Sequence, residues 1–259
     1  MFVINPSDVK KAAENKGIDP QQLRSPKFII LTFSLKIIEE VTKQCGLIKW
    51  KWEAERFSPY STSLKSFKGR IDDNYDIGVF IPPMGASPLI AFCEELIYFG
   101  TEAIFLLCAS WGLGEHYLSQ GQIHLPNFAI GFDGTSSYYG NEDWDVKCEA
   151  SGFTALKTAL DKFNFDYKVG GVGCCEAIYR ISSELVNVYR TSGCLSIENG
   201  EVAALYSLAH VRNISTGVLL QPYIDLAKGW ELSYMGKTYH TTCELQAKTA
   251  IEASRILGC

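Results

Sequence analysis

Short apolar runs alternate with amphipathic stretches along most of the chain. The apolar runs have the length of strands and are mostly continuous, which is typical of strands covered on both faces. These runs occupy 27–32, 76–82, 103–109, 127–132, 167–175 and 216–222. Because helical patterns separate several of them, the order predicts an α/β fold with a central mixed, largely parallel sheet flanked by helices.

The helical stretches carry start and stop signals. Serines stand at three expected N-caps, Ser34, Ser87 and Ser151. Gly100 and Gly258 suit helix ends, and the last predicted helix covers 241–258. The polar stretch 65–76 predicts a hairpin turn or an exposed loop. Since no linker divides the chain, we predict two parts, a helical extension over 1–26 and a single domain over 27–259.

Composition and charge narrow the possible partners. The chain has 259 residues, of which 47% are hydrophobic, enough for a sizeable core. Its formal net charge is -5 and it has no basic block, so we expect no nucleic-acid partner. The longest apolar run, "AIFLLCA", is much shorter than the roughly 20 residues that span a bilayer, so we expect no membrane segment.

Cysteine and histidine placement bears on compartment and metals. The chain has nine cysteines, an odd number, several of them inside apolar runs, and no secretory segment follows its first residues. We therefore expect reduced thiols in a cytoplasmic protein. The chain has no Cys-x-x-Cys pair and its four histidines are scattered, so we expect no metal site.

Residues just after strands are the candidates for chemistry, because ligands of α/β sheets bind at the carboxyl ends of strands. Gly85 permits close approach of an anion to a helix start, although a tight turn explains it equally. Tyr179 and Arg180 suit a planar base, although a solvated helix start is the alternative. Glu201 opens an apolar helix, where the helix dipole alone favours a carboxylate.

Three segments follow one another along the chain, and their order carries more information than any one of them: "DIGVFIPPMGASPLIAFCEELIYFGTEAIFLLCASWGLG", "GQIHLPNFAIGFDGTSSYY" and "NGEVAALYSLAHVRNI". Their "EEL" helix, "DGTS" stretch and glutamate-opened helix resemble the nucleoside phosphorylase family, most closely its uridine phosphorylase branch. The resemblance covers roughly 27–257. It implies phosphate-dependent cleavage of the N-glycosidic bond of a nucleoside, with a uridine-type base favoured, to free base and ribose 1-phosphate. Phosphate is then a co-substrate, and no other cofactor is expected.

The resemblance also implies a sugar site and a phosphate site. Glu201 matches the carboxylate that holds ribose hydroxyls, and the methionine before it in the family is Gly200 here. The implied phosphate ligands are Lys36, at a family arginine position, Arg56 from a neighbouring subunit, Ser110, and amides near Gly85. Because the family shares sites across subunits, a homo-oligomer is expected, either a dimer or a hexamer of dimers.

The implied base site lies at Ile178, Tyr179 and Arg180, with Trp111 where the family has a glycine at the pocket floor. No catalytic residue is assigned. The aspartate that protonates the base in purine-specific relatives falls on Pro222.

The chain departs from the family at further phosphate-binding positions, which carry Thr32, Leu106, Cys108 and Ala109. Two interpretations therefore stand together. The chain is a phosphorylase with relocated phosphate ligands, or it is a catalytically impaired nucleoside- or nucleobase-binding member of the family or a non-catalytic subunit.

Overall fold

The computed structural model describes residues 3–141, 143–230 and 236–258. Its strands are β1 (Phe28–Thr32), β2 (Ile48–Lys49), β3 (Lys65–Ile71), β4 (Tyr75–Ile81), β5 (Ala103–Gly112), β6 (Ile123–Phe132), β7 (Asp145–Lys147), β8 (Tyr167–Cys175), β9 (Cys194–Glu198) and β10 (Ser215–Asp225). Its α-helices are α1 (Ser7–Glu14), α2 (Leu35–Cys45), α3 (Ala86–Tyr98), α4 (Ala150–Phe163), α5 (Ser183–Thr191), α6 (Glu201–Arg212) and α7 (Lys237–Gly258).

All strands belong to one mixed sheet. Its order is β10-β6-β8-β9-β5-β1-β4-β3-β2, with β7 beside β6. Because β10 also pairs with β5, the strands β5, β10, β6, β8 and β9 form a closed ring. The two longest ladders, β5 with β10 and β6 with β8, are parallel, whereas β3 and β4 form an antiparallel hairpin. This confirms the predicted α/β fold with a mixed sheet. The prediction of a turn or loop over 65–76 is wrong for most of that stretch, because β3 and the first residues of β4 occupy it and only 72–74 form the turn.

Strand β1 shows why the apolar runs are continuous. Ile29 and Leu31 pack in the cluster that contains buried residues of α3 and α6. Phe28 and Ile30 pack in the cluster that contains buried residues of α2, α4 and α7. Successive side chains of a strand point to opposite faces, so helices on both faces require every residue of β1 to be apolar or buried.

Two of the three predicted serine N-caps are wrong. Helix α3 starts one residue before Ser87, and its N-cap is Gly85, which has a φ of 104° that glycine adopts at low cost. The N-cap of α4 is Glu149, whose carboxylate accepts 2.8 Å hydrogen bonds from the amides of Ser151 and its successor. Ser34 does occupy the N-cap position of α2, but its hydroxyl makes no capping hydrogen bond.

The N-terminal segment packs onto the rest of the chain. It contains α1 and a short 3-10 helix over Pro20–Leu23. Ala13 and Leu23 are fully buried, and the indole nitrogen of Trp52 donates a 2.8 Å hydrogen bond to the carbonyl of Leu23.

Three further features concern the described residues alone. None of their helices is long and apolar enough to cross a membrane. Their cysteines are all free thiols, and most of them are buried. No group of three or more of their histidine, cysteine, aspartate and glutamate side chains is arranged to hold a metal ion.

Candidate active site

Two helix starts meet at Glu201. Helix α6 begins with Glu201 shortly after β9 ends, and α3 begins directly after Gly85, beyond the end of β4. Glu201 is only 3% exposed. Its Oε1 accepts a 2.9 Å hydrogen bond from the amide of Gly85 and a 3.3 Å hydrogen bond from the side chain of Asn199. The carboxylate is therefore held at the positive ends of two helices, which suits the helix dipole and also fixes it as an inward-facing acceptor.

Glu198 supports this arrangement, and the sequence interpretation missed it. Its Oε1 accepts a 3.0 Å hydrogen bond from the amide of Gly200, and its Oε2 accepts one of 3.0 Å from the amide of Glu201. Glu198 thus satisfies amides at the start of α6. Negatively charged side chains are favoured near a helix N-terminus, so the position of Glu198 shortly before α6 was a sequence signal for this role.

The environment of Glu198 is unusual for a carboxyl group. The side chain is 5% exposed, and burial, followed by the neighbouring carboxylate of Glu201, raises the pKa of Glu198 well above its usual range. The same two carboxylates lie near the buried thiol of Cys108 in the middle of β5, where burial and their charge raise the pKa of that thiol. The middle of β5 and the end of β9 therefore meet at one acidic centre, formed by Glu198 and Glu201.

Gly200 leaves no room for the methionine that the resemblance expects. Its φ is 99°, and a Cβ atom added there would lie 2.8 Å from Cγ of Glu176 and 3.3 Å from Cβ of Asp133. Asp133 belongs to the "DGTS" stretch, and its Oδ1 accepts hydrogen bonds of 2.8 and 2.7 Å from the amides of Thr135 and Ser136. The two nearest neighbours of a Cβ atom at Gly200 are thus acidic side chains that directly follow β6 and β8, and the third is Cβ of Ala86 at 3.6 Å.

Lys36 lies in the first turn of α2, after the end of β1. Its Nζ is 2.7 Å from a carboxylate oxygen of Glu40 and 3.4 Å from one of Glu244 on α7. The hydrogen bond to Glu40 is the main cause that raises the pKa of Lys36 above its usual value. The positive charge of this candidate phosphate ligand is therefore compensated by two carboxylates of the same chain.

The other candidate phosphate ligands also bond to groups of this chain. The buried hydroxyl of Ser110 lies 3.4 Å from the carbonyl oxygen of Gln221, and the amide of Gly85 donates to Glu201. Arg56 is exposed, at the end of a 3-10 helix, and forms an ion pair with Glu53. Among the described residues, each of these candidate ligands has its own partner, and no hydrogen bond links Lys36, Arg56 or Ser110 to Gly85.

Three of the four candidate base ligands line one cavity of about 630 Å³, namely Trp111, Ile178 and Tyr179. Trp111 pairs across β5 and β9 with the residue just before Glu198, which brings the cavity next to the acidic centre. Tyr179 is 86% exposed, at the rim.

Arg180 is exposed and does not line this cavity, whereas Arg190 of α5 does. The Nη2 and Nε atoms of Arg190 donate hydrogen bonds of 2.6 and 3.0 Å to the carbonyl oxygen of Leu113.

The positions where the chain departs from the family have structural roles. Leu106 is fully buried in the core, and Pro222 lies in the ladder between β10 and β5, opposite Ser110. Asp225, which is near Pro222 in sequence, accepts a 2.9 Å hydrogen bond from the amide of Ala227.

Comparison with known proteins identifies the family of the chain. A family model described as the phosphorylase superfamily matches residues 28–250. The chain is similar to a guanosine phosphorylase of Halorubrum lacusprofundi, at 24% identity over 57% of this chain and 60% of that protein. It is also similar to a uridine phosphorylase of Treponema pallidum, at 27% identity over 49% of this chain and 53% of that protein. The chain thus spans little more than half of either curated relative.

Among solved structures, the chain is similar to a purine nucleoside phosphorylase from Toxoplasma gondii in complex with immucillin-H. The TM-score is 0.77 at 20% identity, over 92% of this chain and 93% of that one. At this identity the likeness is one of fold.

Proposed function

The chain belongs to the phosphorylase superfamily, and we propose that it is a nucleoside phosphorylase. In this reaction a phosphate oxygen forms a bond to the anomeric carbon of the nucleoside, and the bond from that carbon to the base nitrogen breaks. The base leaves with the electron pair and takes up a proton, which gives free base and ribose 1-phosphate. The observation that carries the proposal is Glu201, a buried carboxylate fixed between two helix starts in a chain of this family.

At the sugar, Glu201 accepts hydrogen bonds from ribose hydroxyls. A carboxylate oxygen has more than one lone pair, so the bond from Gly85 leaves acceptor capacity. Glu198 holds the amide of Glu201 and thus fixes the direction of its side chain. The negative charge of Glu201 near the sugar also stabilises the positive charge that develops on the sugar as the base departs.

For phosphate, we propose Lys36, aided by Ser110, by amides near Gly85 and by Arg56 of a second subunit in a homo-oligomer. Lys36 can bind the dianion only if its contacts to Glu40 and Glu244 loosen, because a cation with two carboxylate partners has little net charge to offer. Phosphate is the co-substrate, and we place the protein in the cytoplasm.

For the base, we propose the cavity lined by Trp111, Ile178 and Tyr179, with Arg180 nearby on the same 3-10 helix. A uridine-type base is favoured because Pro222 stands where purine-specific relatives have an aspartate. No carboxylate is among the described residues that line the cavity, which fits a base that needs no acidic side chain beside it.

A second candidate function is binding of a nucleoside or nucleobase without turnover. Two observations favour it: Lys36 pairs with two carboxylates, and the amide of Gly85 donates its hydrogen bond to Glu201. Both contacts oppose phosphate binding and leave the sugar contacts intact.

The test is release of free base from uridine, inosine and guanosine, with and without phosphate, by the wild type and by Glu201→Gln. We expect phosphate-dependent release, fastest from uridine. The substitution should lower kcat/KM about 10- to 150-fold, because a hydrogen bond to a charged group contributes about 1.5 to 3 kcal/mol.

The control is Glu102→Gln, at the other end of β5, where an exposed carboxylate pairs with Lys27. This variant should behave like the wild type. Tight nucleoside binding without release would support the second candidate function instead. If Glu201→Gln and Glu102→Gln both matched the wild type, Glu201 would have only its helix-dipole role.

A further inference from the structure

The side chain of Glu176 occupies the space beside Gly200. A Cβ atom on Gly200 would lie 2.8 Å from Cγ of Glu176, closer than real Cβ contacts come. Glu176 is therefore placed where the side chain of residue 200 would otherwise project. Since Gly200 directly precedes Glu201, this space borders the sugar contact of the proposed function.

Glu176 is anchored on one side and accessible on the other. It follows directly after β8, and its Oε2 accepts a 3.2 Å hydrogen bond from the amide of Gly134 at the end of β6. The side chain is exposed, so the carboxylate can be reached from solvent. A single bond to a backbone amide orients the group and leaves it further acceptor capacity.

The other carboxylates beside Gly200 are more heavily engaged. Asp133 accepts two amides on Oδ1 and the hydroxyl of Ser136 on Oδ2. Glu198 accepts one amide on each of its oxygens. Glu176 is thus exposed, whereas Asp133 and Glu198 are buried, and it accepts fewer hydrogen bonds from the described residues than either of them.

We propose that Glu176 accepts a hydrogen bond from one sugar hydroxyl of the nucleoside and so acts with Glu201 in selecting the sugar. The inference rests on the proposed function, because it assumes that the sugar binds at Glu201. A carboxylate in place of an apolar side chain here favours ligands that bring a hydroxyl donor to this side of the sugar, and disfavours analogues that lack it.

The experiment measures dissociation constants by calorimetry, without phosphate, for uridine and its 2′-deoxy, 3′-deoxy and 5′-deoxy analogues. The proteins are the wild type, Glu176→Ala, Glu176→Gln, Glu201→Gln and the control Glu102→Gln. We expect Glu176→Ala to weaken uridine binding by about 3- to 10-fold, less than Glu201→Gln because Glu176 is exposed to water, with partial rescue in Glu176→Gln, which keeps an acceptor oxygen. For one of the three deoxy analogues, Glu176→Ala should leave the dissociation constant unchanged, because that analogue already lacks the hydroxyl that would bind Glu176.

The alternative role of Glu176 is to tie two loops together through Gly134, and it gives a different result. In that case Glu176→Ala weakens binding of uridine and of all three analogues by the same factor, which would overturn the proposal. Uridine binding that is weakened by Glu201→Gln and unchanged by Glu176→Ala would also overturn it while leaving the proposed function intact. If the wild type bound no nucleoside, the proposed function would fail and this inference with it. Urea unfolding of each variant checks that it is folded.

Discussion

The two ends of the proposed site are built in opposite ways. At the sugar end, formed by Glu176, Glu198, Gly200 and Glu201, the acidic side chains accept hydrogen bonds from backbone amides. At the phosphate end, the proposed ligands are a lysine paired with carboxylates, an exposed arginine and a buried hydroxyl bonded to a carbonyl. Backbone amides cannot be withdrawn without unfolding, whereas side-chain partners can rotate away. The sugar end is therefore preorganised, and the phosphate end must rearrange to bind its ligand.

Gly85 connects the two ends. Its amide is a proposed phosphate donor, yet it donates a hydrogen bond to Glu201, the proposed sugar ligand. One amide hydrogen cannot bond fully to both Glu201 and a phosphate oxygen. The hydrogen bond that orders the sugar end therefore removes a donor from the phosphate end. From the proposed roles of these groups we expect nucleoside to bind more tightly than phosphate.

The substitution Glu198→Ala is expected to have the largest effect, and it tests whether the sugar end is preorganised. It leaves the amides of Gly200 and Glu201 without their acceptor. We expect the free energy of unfolding to fall by about 2 kcal/mol, since an unsatisfied buried group costs roughly 1 to 3 kcal/mol. Nucleoside affinity should fall as well, because Glu201 loses its anchored amide. Urea unfolding and calorimetry measure the two effects, and an unchanged unfolding free energy would show that the sugar end is not preorganised through Glu198.

The pH dependence of stability tests the same carboxyl group. Burial and Glu201 raise the pKa of Glu198 in the folded chain. Because the pKa is higher in the folded chain, protonated Glu198 stabilises the fold. This contribution to the free energy of unfolding is complete below the unfolded pKa of about 4.3 and is lost as the pH rises through the folded pKa. The slope from one such group reaches at most about 1.4 kcal/mol per pH unit.

The glutamine side chain of Glu198→Gln cannot ionise. The free energy of unfolding of this variant should therefore decline less with rising pH than that of the wild type. Urea unfolding of both proteins from pH 5 to pH 8 measures the difference. Glu95, another buried carboxyl whose pKa is raised by burial, is unchanged in both proteins and contributes equally. Parallel curves for the two proteins would contradict the assignment of a raised pKa to Glu198.

The smallest expected effects concern the phosphate end. Glu40→Gln removes the nearer partner of Lys36, and we expect it to lower the KM for phosphate by about two- to fivefold, because it frees a cation from an ion pair. Lys36→Ala should raise that KM, and the KM for the nucleoside should stay unchanged in both variants. Initial rates at varied phosphate measure the effect.

Lys157→Ala is the matched control, since this lysine also pairs at 2.7 Å with an acidic residue one helical turn away, Asp161. Efficient phosphorolysis by Lys36→Ala would show that phosphate binds elsewhere.

Several parts of the fold and site could be predicted from the chain alone. Continuous apolar runs indicated strands buried on both faces, and β1, β4, β5, β6, β8 and β10 lie on the predicted runs. Strand β9 was missed because Ser196 and Glu198 interrupt its apolar pattern, and both are buried through polar contacts. The helix starts at Gly85 and Glu149 were misplaced because serine is only one of several capping residues, and a nearby glycine or glutamate replaced it.

The pairing of Lys36 with Glu40 illustrates a contact that sequence spacing can indicate. Residues four apart on a helix face one another, so this ion pair was readable from the chain. The second partner, Glu244, lies on a helix more than two hundred residues away, and only the packing of α2 against α7 brings it to Lys36. The resemblance to the family therefore placed a cation at this position, and it did not reveal that two carboxylates compensate its charge.

The chain by itself determined the alternation of strands and helices, the apolar character of the core and the glutamate that opens α6, because these depend on local periodicity and on residue type. Tertiary structure alone decided which donors and acceptors meet. The hydrogen bond from Gly85 to Glu201 and the contact of Glu176 with Gly200 each join separate strand ends. Such contacts depend on how the strands are ordered in the sheet, and strand order is set by the packing of the whole chain.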